Sequence, residues 1–323
     1  MSILVTGVAG FIGFHVADRL LQRGEHVVGI DNLNDYYDPM LKRARLSQLK
    51  EKANFTFEKI DLTDRQNLGA LASNHSGITQ IIHLAAQAGV RYSLENPYVY
   101  ISSNVMGHVV LLEFARNLSR LKNLVYASSS SVYGSNEKLP FSEGDPVETP
   151  QSLYAATKRA DELISYTYSH LYGIPLVGLR FFTVYGPFGR PDMAPMLFAR
   201  AIFAGEPIHV FNFGDLWRDF TYIDDIVAGI LAAMESPHSN KPPHRIYNLG
   251  NCKSEKLTDF IAALEAAIGK KAELILTPMQ AGDVRTTYAD IDKARNEIGF
   301  EPSTTMRVGV TKFIDWYRSF YKI

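Results

Sequence analysis

The sequence predicts an α/β fold: a doubly wound parallel sheet with a smaller C-terminal domain. Three observations predict it. Short apolar runs alternate with longer helix-like stretches, a glycine-rich loop follows the first run, and the alternation fades after about residue 181. Strands separated by helices imply βαβ units, and hence a parallel sheet covered on both faces.

The elements follow in order. Ile3–Thr6 is a short apolar run, read as the first strand, and Gly7 to Gly13 opens a helix near 11–23. Val27–Ile30, Phe55–Lys59 and Gln80–Leu84 read as the next strands, with helices near 39–52 and 64–73 between them. A helix near 98–119 leads to the strand Leu124–Tyr126. Pro150 and Ser152 introduce a helix near 153–171, followed by the strand Leu176–Arg180. Beyond that, Gly186-Pro187, Arg190-Pro191, Ala194-Pro195 and Glu206-Pro207 mark turns. Arg245–Leu249 reads as a strand returning to the first domain. The expected division is residues 1–180, with a return near 224–250, and mainly residues 181–323.

Composition narrows the function classes. The chain has 323 residues and a formal net charge of −1, so no global charge points to nucleic acid or an anionic membrane. No apolar run is long enough to span a bilayer, and no leader is expected before the first strand. Cys252 is the single cysteine, which excludes an internal disulfide framework and fits a reducing compartment. The nine histidines lack ligand spacing, so no metal is expected. A cytoplasmic protein is the expectation.

Gly7-Val8-Ala9-Gly10-Phe11-Ile12-Gly13 lies between a strand and a helix. Glycines there permit a tight turn, close backbone approach to a pyrophosphate, and close helix–strand packing. The helix N-terminus adds unpaired N–H groups and a positive dipole end. Asp31 ends the second strand 18 residues after Gly13, where a carboxylate accepts hydrogen bonds from ribose hydroxyls and repels a 2′-phosphate. The pattern predicts a Rossmann-type site for NAD. Asn32 follows Asp31. Asp61-Leu62 is expected at the adenine edge, or Asp61 or Thr63 as a helix N-cap. Leu84, Ala85 and Ala86 end the fourth strand with mostly small side chains against which a cofactor can lie.

Tyr154 and Lys158 are four residues apart on one helix face. A phenol is a poor base at neutral pH, and an adjacent ammonium favours the phenolate. The pair falls 25 residues after Ser129, inside the run Ser128-Ser129-Ser130-Ser131. That run sits between an apolar strand and Val132-Tyr133-Gly134, which is a strand–loop–turn pattern and not a linker.

Together, Thr6-Gly7-x-x-Gly10-Phe11-Ile12-Gly13, Asp31-Asn32, residues 128–134 and Tyr154-x-x-x-Lys158 resemble the extended short-chain dehydrogenase/reductase family. Residues 180–187 (RFFTVYGP) and 218–225 (RDFTYIDD) resemble its nucleotide-sugar epimerase branch. The resemblance implies bound NAD, with Phe181 near it, and a UDP- or dTDP-sugar oxidised at C4. Tyr154 would take the C4 hydroxyl proton and also contact the cofactor, Ser129 would bond the same oxygen, and Lys158 would tune Tyr154 and bind the nicotinamide ribose. It also implies a homodimer through the helices near 98–119 and 153–171.

Related dehydratases carry an acidic pair, and decarboxylases a glutamate, just past the catalytic Ser/Thr. Here those positions are Ser130 and Ser131, which favours simple 4-epimerisation. Residues 86–93 (AQAGVRYS), 183–193 (TVYGPFGRPDM) and 31–38 (DNLNDYYD) are similar to those of UDP-glucuronate 4-epimerases. Ser129, Ser130, Ser131, Gln87 and Thr183 are the polar candidates for the sugar, and Arg190 and Arg91 offer guanidinium groups to its carboxylate. Arg218 and Arg285 are candidates for the diphosphate, and Phe211 for uracil. Asp224 and Asp225 read as helix N-terminal acids. A neutral UDP-glucose/UDP-galactose 4-epimerase, a UDP-glucuronate decarboxylase and a non-catalytic NAD-binding protein remain as alternatives.

Overall fold

The computed structural model describes residues 1–237, 241–280 and 282–323. The first half alternates strand and helix: β1 Ser2–Thr6, α1 Phe11–Gln22, β2 His26–Ile30, α2 Met40–Lys50, β3 Phe55–Glu58, α3 Arg65–Asn74 and β4 Ile78–His83. Two short helices follow, α4 Tyr92–Glu95 and α5 Pro97–Tyr100, then a π-helical segment Ile101–Met106 and α6 Gly107–Arg116. Next come β5 Asn123–Ser129, α7 Leu153–Tyr172 and β6 Leu176–Phe181. The remainder is β7 Thr183–Tyr185, α8 Ala194–Ala204, β8 Ile208–Val210, β9 Trp217–Arg218, β10 Phe220–Tyr222, α9 Ile223–Glu235 and β11 His244–Leu249, then smaller elements and a C-terminal helix Met306–Tyr321.

Seven of these strands form one parallel sheet in the order β11-β6-β5-β4-β1-β2-β3. Its strands are largely buried because helices cover both faces, which is why they read as unbroken apolar runs. One core packs α1, α9 and the C-terminal helix on one face, and a second packs α3 and α6 on the other. Outside this sheet the strands are short pairs: β10 with β7, β12 (Glu255–Lys256) with β9, and β13 (Leu274–Leu276) with β8. Among the described residues no helix is long and apolar enough to cross a membrane.

Two local features depart from the sequence expectation. The helix expected near 98–119 is divided by a π-helical segment at Ile101–Met106. Within it Asn104 is turned onto the chain after β4: its Oδ1 accepts from Gln87 N at 2.8 Å, and its Nδ2 donates to Gln87 O and to Thr157 Oγ1 at 3.0 Å each. π turns recur where a helix must present a side chain to a site. Separately, β5 runs three residues past its expected end, to Ser129. It lies between β4 and β6, and β6 offers ladder partners up to Phe181, paired with Ser129.

Candidate active site

A cavity of about 410 Å³ opens along the C-terminal ends of β1 to β6. Its first end is built from backbone. Gly7 has φ +69°, and a Cβ there would stand 2.7 Å from Ala85 N. A Cβ on Gly13 would stand 2.2 Å from Gly7 O, so α1 can start against the loop only with glycine at that position. The first turn of α1 has no side-chain cap and no acid, which leaves its N–H groups for an external anion. Gly10, Phe11 and Ile12 line the same wall.

Asp31 accepts from Ala9 N at 3.2 Å and Leu33 N at 2.8 Å, and these bonds hold it at the cavity rim. Asp61 accepts from Asn32 Nδ2 at 2.8 Å and from both the N–H and the hydroxyl of Thr63. Burial raises its carboxyl, but these bonds outweigh that and hold it below the usual range. Neither Asp61 nor Thr63 caps α3; Asp64 does, by accepting from Asn67 N. Leu62, Leu84, Ala85 and Ala86 line the cavity between the ends of β1, β3 and β4. The uncapped helix end, the glycine cradle and the rim carboxylate suit a dinucleotide with a free ribose 2′-hydroxyl.

The serines divide by strand alternation. Ser128 is buried within β5, and its hydroxyl donates to Glu162 Oε1 at 2.7 Å. Ser129 Oγ accepts from Ser131 N at 3.2 Å and Ser131 Oγ at 2.9 Å, folding Ser130–Tyr133 into a single 3-10 turn. Ser129, Ser130 and Ser131 all line the cavity.

α7 carries the facing groups. Ser152 caps it through Ala155 N, and its first turns place Tyr154 and Lys158 on the cavity wall. Lys158 Nζ donates to Ala127 O at 3.0 Å and to Asp161 Oδ2 at 3.2 Å. One residue on, the buried Glu162 binds Arg180 through two bonds of 2.8 and 2.9 Å as well as Ser128. Arg180 lies over the Tyr133 ring at 4.8 Å, so one ion pair locks α7, β5, β6 and the serine turn together. Burial works against the Glu162 charge, yet the Arg180 bonds keep its carboxyl below the ordinary value.

The opposite wall is made of side-chain pairs. Phe181 and Thr183 line it from β6 and β7. Arg190 donates to Asp192 through Nε at 3.1 Å and through Nη2, and Tyr36 OH donates to the same carboxylate at 3.1 Å. Burial and the Asp192 charge push the Tyr36 phenol up to about 12, which keeps it a neutral donor. Arg218 binds Asp283 at 2.6 Å, and both line the cavity. Three further candidates lie outside the cavity lining. Arg91 stacks over the Phe211 ring at 4.9 Å, and Arg285 pairs with Asp215 with 68% of its side chain exposed.

The tertiary structure therefore joins Gly7, Gly10, Gly13, Asp31, Asn32, Asp61, Gln87, the three serines, Tyr154, Lys158, Thr183, Arg190 and Arg218 around one cavity. Sequence reasoning passed over Asn104, Asp161, Glu162, Tyr36 and Asp192. Helical spacing from Lys158 could have indicated Asp161 and Glu162, at i+3 and i+4. Tyr36 and Asp192 lie in the stretches 31–38 and 183–193 already singled out by resemblance, but nothing local in either stretch showed that the two side chains meet.

Residues 3–250 match the model of the NAD dependent epimerase/dehydratase family. Among curated relatives, UDP-glucuronate 4-epimerase 1 of Arabidopsis thaliana is 49% identical over 334 residues, covering 99% of this chain and 77% of that one. The crystal structure of UDP-glucuronic acid 4-epimerase from Bacillus cereus, in complex with UDP-glucuronic acid and NAD, superposes with a TM-score of 0.92 at 34% identity. It covers 99% of this chain and all (100%) of its own. UDP-glucose 4-epimerase of Thermotoga maritima, solved with UDP-glucose, superposes with a TM-score of 0.90 at 29% identity, covering 99% and 100%. The chain belongs to the NAD dependent epimerase/dehydratase family.

Proposed function

We propose that the chain catalyses NAD-dependent 4-epimerisation of a UDP-sugar, converting UDP-glucuronate to UDP-galacturonate through a 4-keto intermediate. NAD fits the glycine cradle, with Asp31 and Asn32 on the adenosine ribose, Asp61 and Leu62 at the adenine edge, and Lys158 on the nicotinamide ribose. When bound, it supplies hydride acceptor and donor chemistry at the sugar C4. Tyr154 takes the C4 hydroxyl proton and returns it after the keto-sugar has turned over. Ser129 holds the same oxygen through its hydroxyl, which Ser131 orients. The Lys158 ammonium favours the Tyr154 phenolate.

One observation carries this reading. The turn after Ser129 brings Ser130 and Ser131, with no acid, to the cavity that Tyr154 and Lys158 line. A dehydratase or decarboxylase mechanism calls for a carboxyl group there. A 4-keto-glucuronate is a β-keto acid that loses CO₂ when its carboxylate bond aligns with the carbonyl π system. The serine hydroxyls, Thr183 and Arg190 hold that carboxylate out of alignment. Arg218 takes the diphosphate. Arg91, Phe211 and Arg285, outside the lining, are assigned no contact. Residues 1–180 with the return near 224–250 serve the cofactor, and residues 181–323 mainly the nucleotide-sugar. The protein works in the cytoplasm as a homodimer, with the exposed Tyr98, Ile101, Leu163 and Tyr166 on α5, the π segment and α7 at the interface.

NMR of products tests the reading. UDP-glucuronate, without added NAD, is expected to yield UDP-galacturonate. A UDP-pentose as the main product, or turnover of UDP-glucose alone, would overturn it.

A further inference from the structure

Asp161 follows Lys158 by three residues on α7. The two side chains are only 2% and 4% exposed, and their charged atoms stand 3.2 Å apart. An ammonium has three protons. Lys158 gives one to the Ala127 carbonyl and one to Asp161, which leaves one for the cavity it lines. Asp161 Oδ1 has no hydrogen-bond partner among the described residues. A half-satisfied buried carboxylate is costly to the fold unless it is paired, and its partner here is the proposed catalytic lysine.

We propose that Asp161 is a positioning residue: its carboxylate holds the Lys158 ammonium against the Ala127 carbonyl and offsets part of its charge, so its ionisation sets the pH range in which Tyr154 accepts the C4 hydroxyl proton. This rests on the proposed roles of Tyr154 and Lys158.

The surroundings leave Asp161 as the group that titrates near neutral pH. Burial raises its carboxyl to about 6, against the pull of Lys158. Glu162, on the same helix, is compensated by Arg159 and by Arg180 from β6. Tyr126 on β5 is held well above the phenol range by burial and by the Glu162 charge. His83 on β4 and His108 on α6 stack at 5.3 Å, and burial keeps both neutral, His108 down to about 3. His244 on β11, bonded to Tyr126, is lowered to about 4, also by burial. As pH rises, ionised Asp161 offsets Lys158, and phenolate formation is pushed to higher pH. Removing the charge does the reverse.

The test follows reduced cofactor in the purified holoenzyme, by absorbance in a single turnover with UDP-glucuronate across pH. Asp161→Asn retains an acceptor for Lys158 but not the charge. Its rising limb is expected to move to lower pH by roughly half a unit to one unit. Asp161→Ala loses the acceptor too, and its rate is expected to fall roughly tenfold, with Asn restoring most of it. A midpoint that does not move in Asp161→Asn, or equal rates in the Asn and Ala variants, overturns the proposal. Absence of reduced cofactor in the unsubstituted enzyme would instead sink the epimerase reading. Stability reads the same pairing should Asp161→Asn not fold alone. Lys158→Met strands the carboxylate, and the Lys158→Met/Asp161→Asn variant is expected to melt higher. A double variant no more stable than Lys158→Met also overturns the proposal.

Discussion

The two ends of the cavity are built differently. At the glycine end the groups that face the cavity are mostly backbone, contributed by consecutive residues of one loop, with Asp31 held by two N–H bonds. At the proposed sugar end they are side chains from distant segments, paired with each other: Arg190 and Tyr36 on Asp192, and Arg218 on Asp283. A backbone cradle is specific for a shape shared by every dinucleotide. Paired side chains can be exchanged one at a time without moving the fold, so the sugar end is where related proteins are free to differ in substrate.

Substitutions can break or sharpen this contrast. Tyr154 stands between the two ends, and Tyr154→Phe is expected to lower turnover by roughly 10²–10⁴-fold while bound NAD and melting temperature stay near wild type. A comparable loss of NAD would mean that Tyr154 serves mainly to hold the cofactor and not to move the proton. At the glycine end, Gly13→Ala forces a methyl against Gly7 O and is expected to cost about 1–3 kcal/mol of stability and to reduce the NAD that copurifies. Unchanged NAD content would show that the loop can yield.

At the sugar end, Arg190→Ala is expected to leave melting nearly unchanged. It should raise KM for UDP-glucuronate by roughly ten- to hundredfold, and more than for UDP-glucose. Equal losses on both substrates would remove Arg190 from the carboxylate. The solvent-facing Arg285 gives the smallest effect: Arg285→Ala should change stability by no more than about 0.5 kcal/mol and leave both KM values near wild type.

A pH titration examines what joins the ends. His15 of α1 bonds the Pro187 carbonyl at 2.8 Å across the two regions, and burial lowers its imidazole to about 4. His83, His108 and His244 are likewise held below the ordinary 6.5 by burial. Such groups support the fold fully above their unfolded value, and that support is lost as pH falls through the folded one. Asp161 and Asp219, each raised by burial from 3.8 to about 6, act in the opposite sense over part of the window. Glu143 and Glu255 are raised by burial as well, while the bonds to Glu162 hold its carboxyl low; the four deeply lowered imidazoles set the sign, so the unfolded chain binds more protons between about pH 6 and 4. Melting temperature should fall across that interval. A flat profile would mean that these histidines are protonated in the native protein.

Much of this architecture was legible because parallel strands buried on both faces must be apolar throughout. All seven strands of the main sheet stand within a few residues of their expected places, and so do α1, α2, α3 and α7. Gly7, Gly10, Gly13, Asp31, Ser129, Tyr154 and Lys158 all reach the cavity lining, and their place there was legible for a related reason: each belongs to a short-range pattern of turn, strand end or helix spacing. The π segment was not, since its extra residue per turn is selected by Asn104 reaching Gln87 and Thr157, not by local propensity.

The sequence by itself determined the order of strands and helices, the glycine cradle and the absence of an acid after Ser129. These depend on neighbours along the chain. Only the tertiary structure decided that Ser128 serves Glu162 while Ser129 faces the cavity, that Arg190 is paired with Asp192 and Tyr36, and that Asp161 is buried against Lys158. Those outcomes depend on which side chains meet once helices and strands pack, and on the cost of burying a charge without a partner.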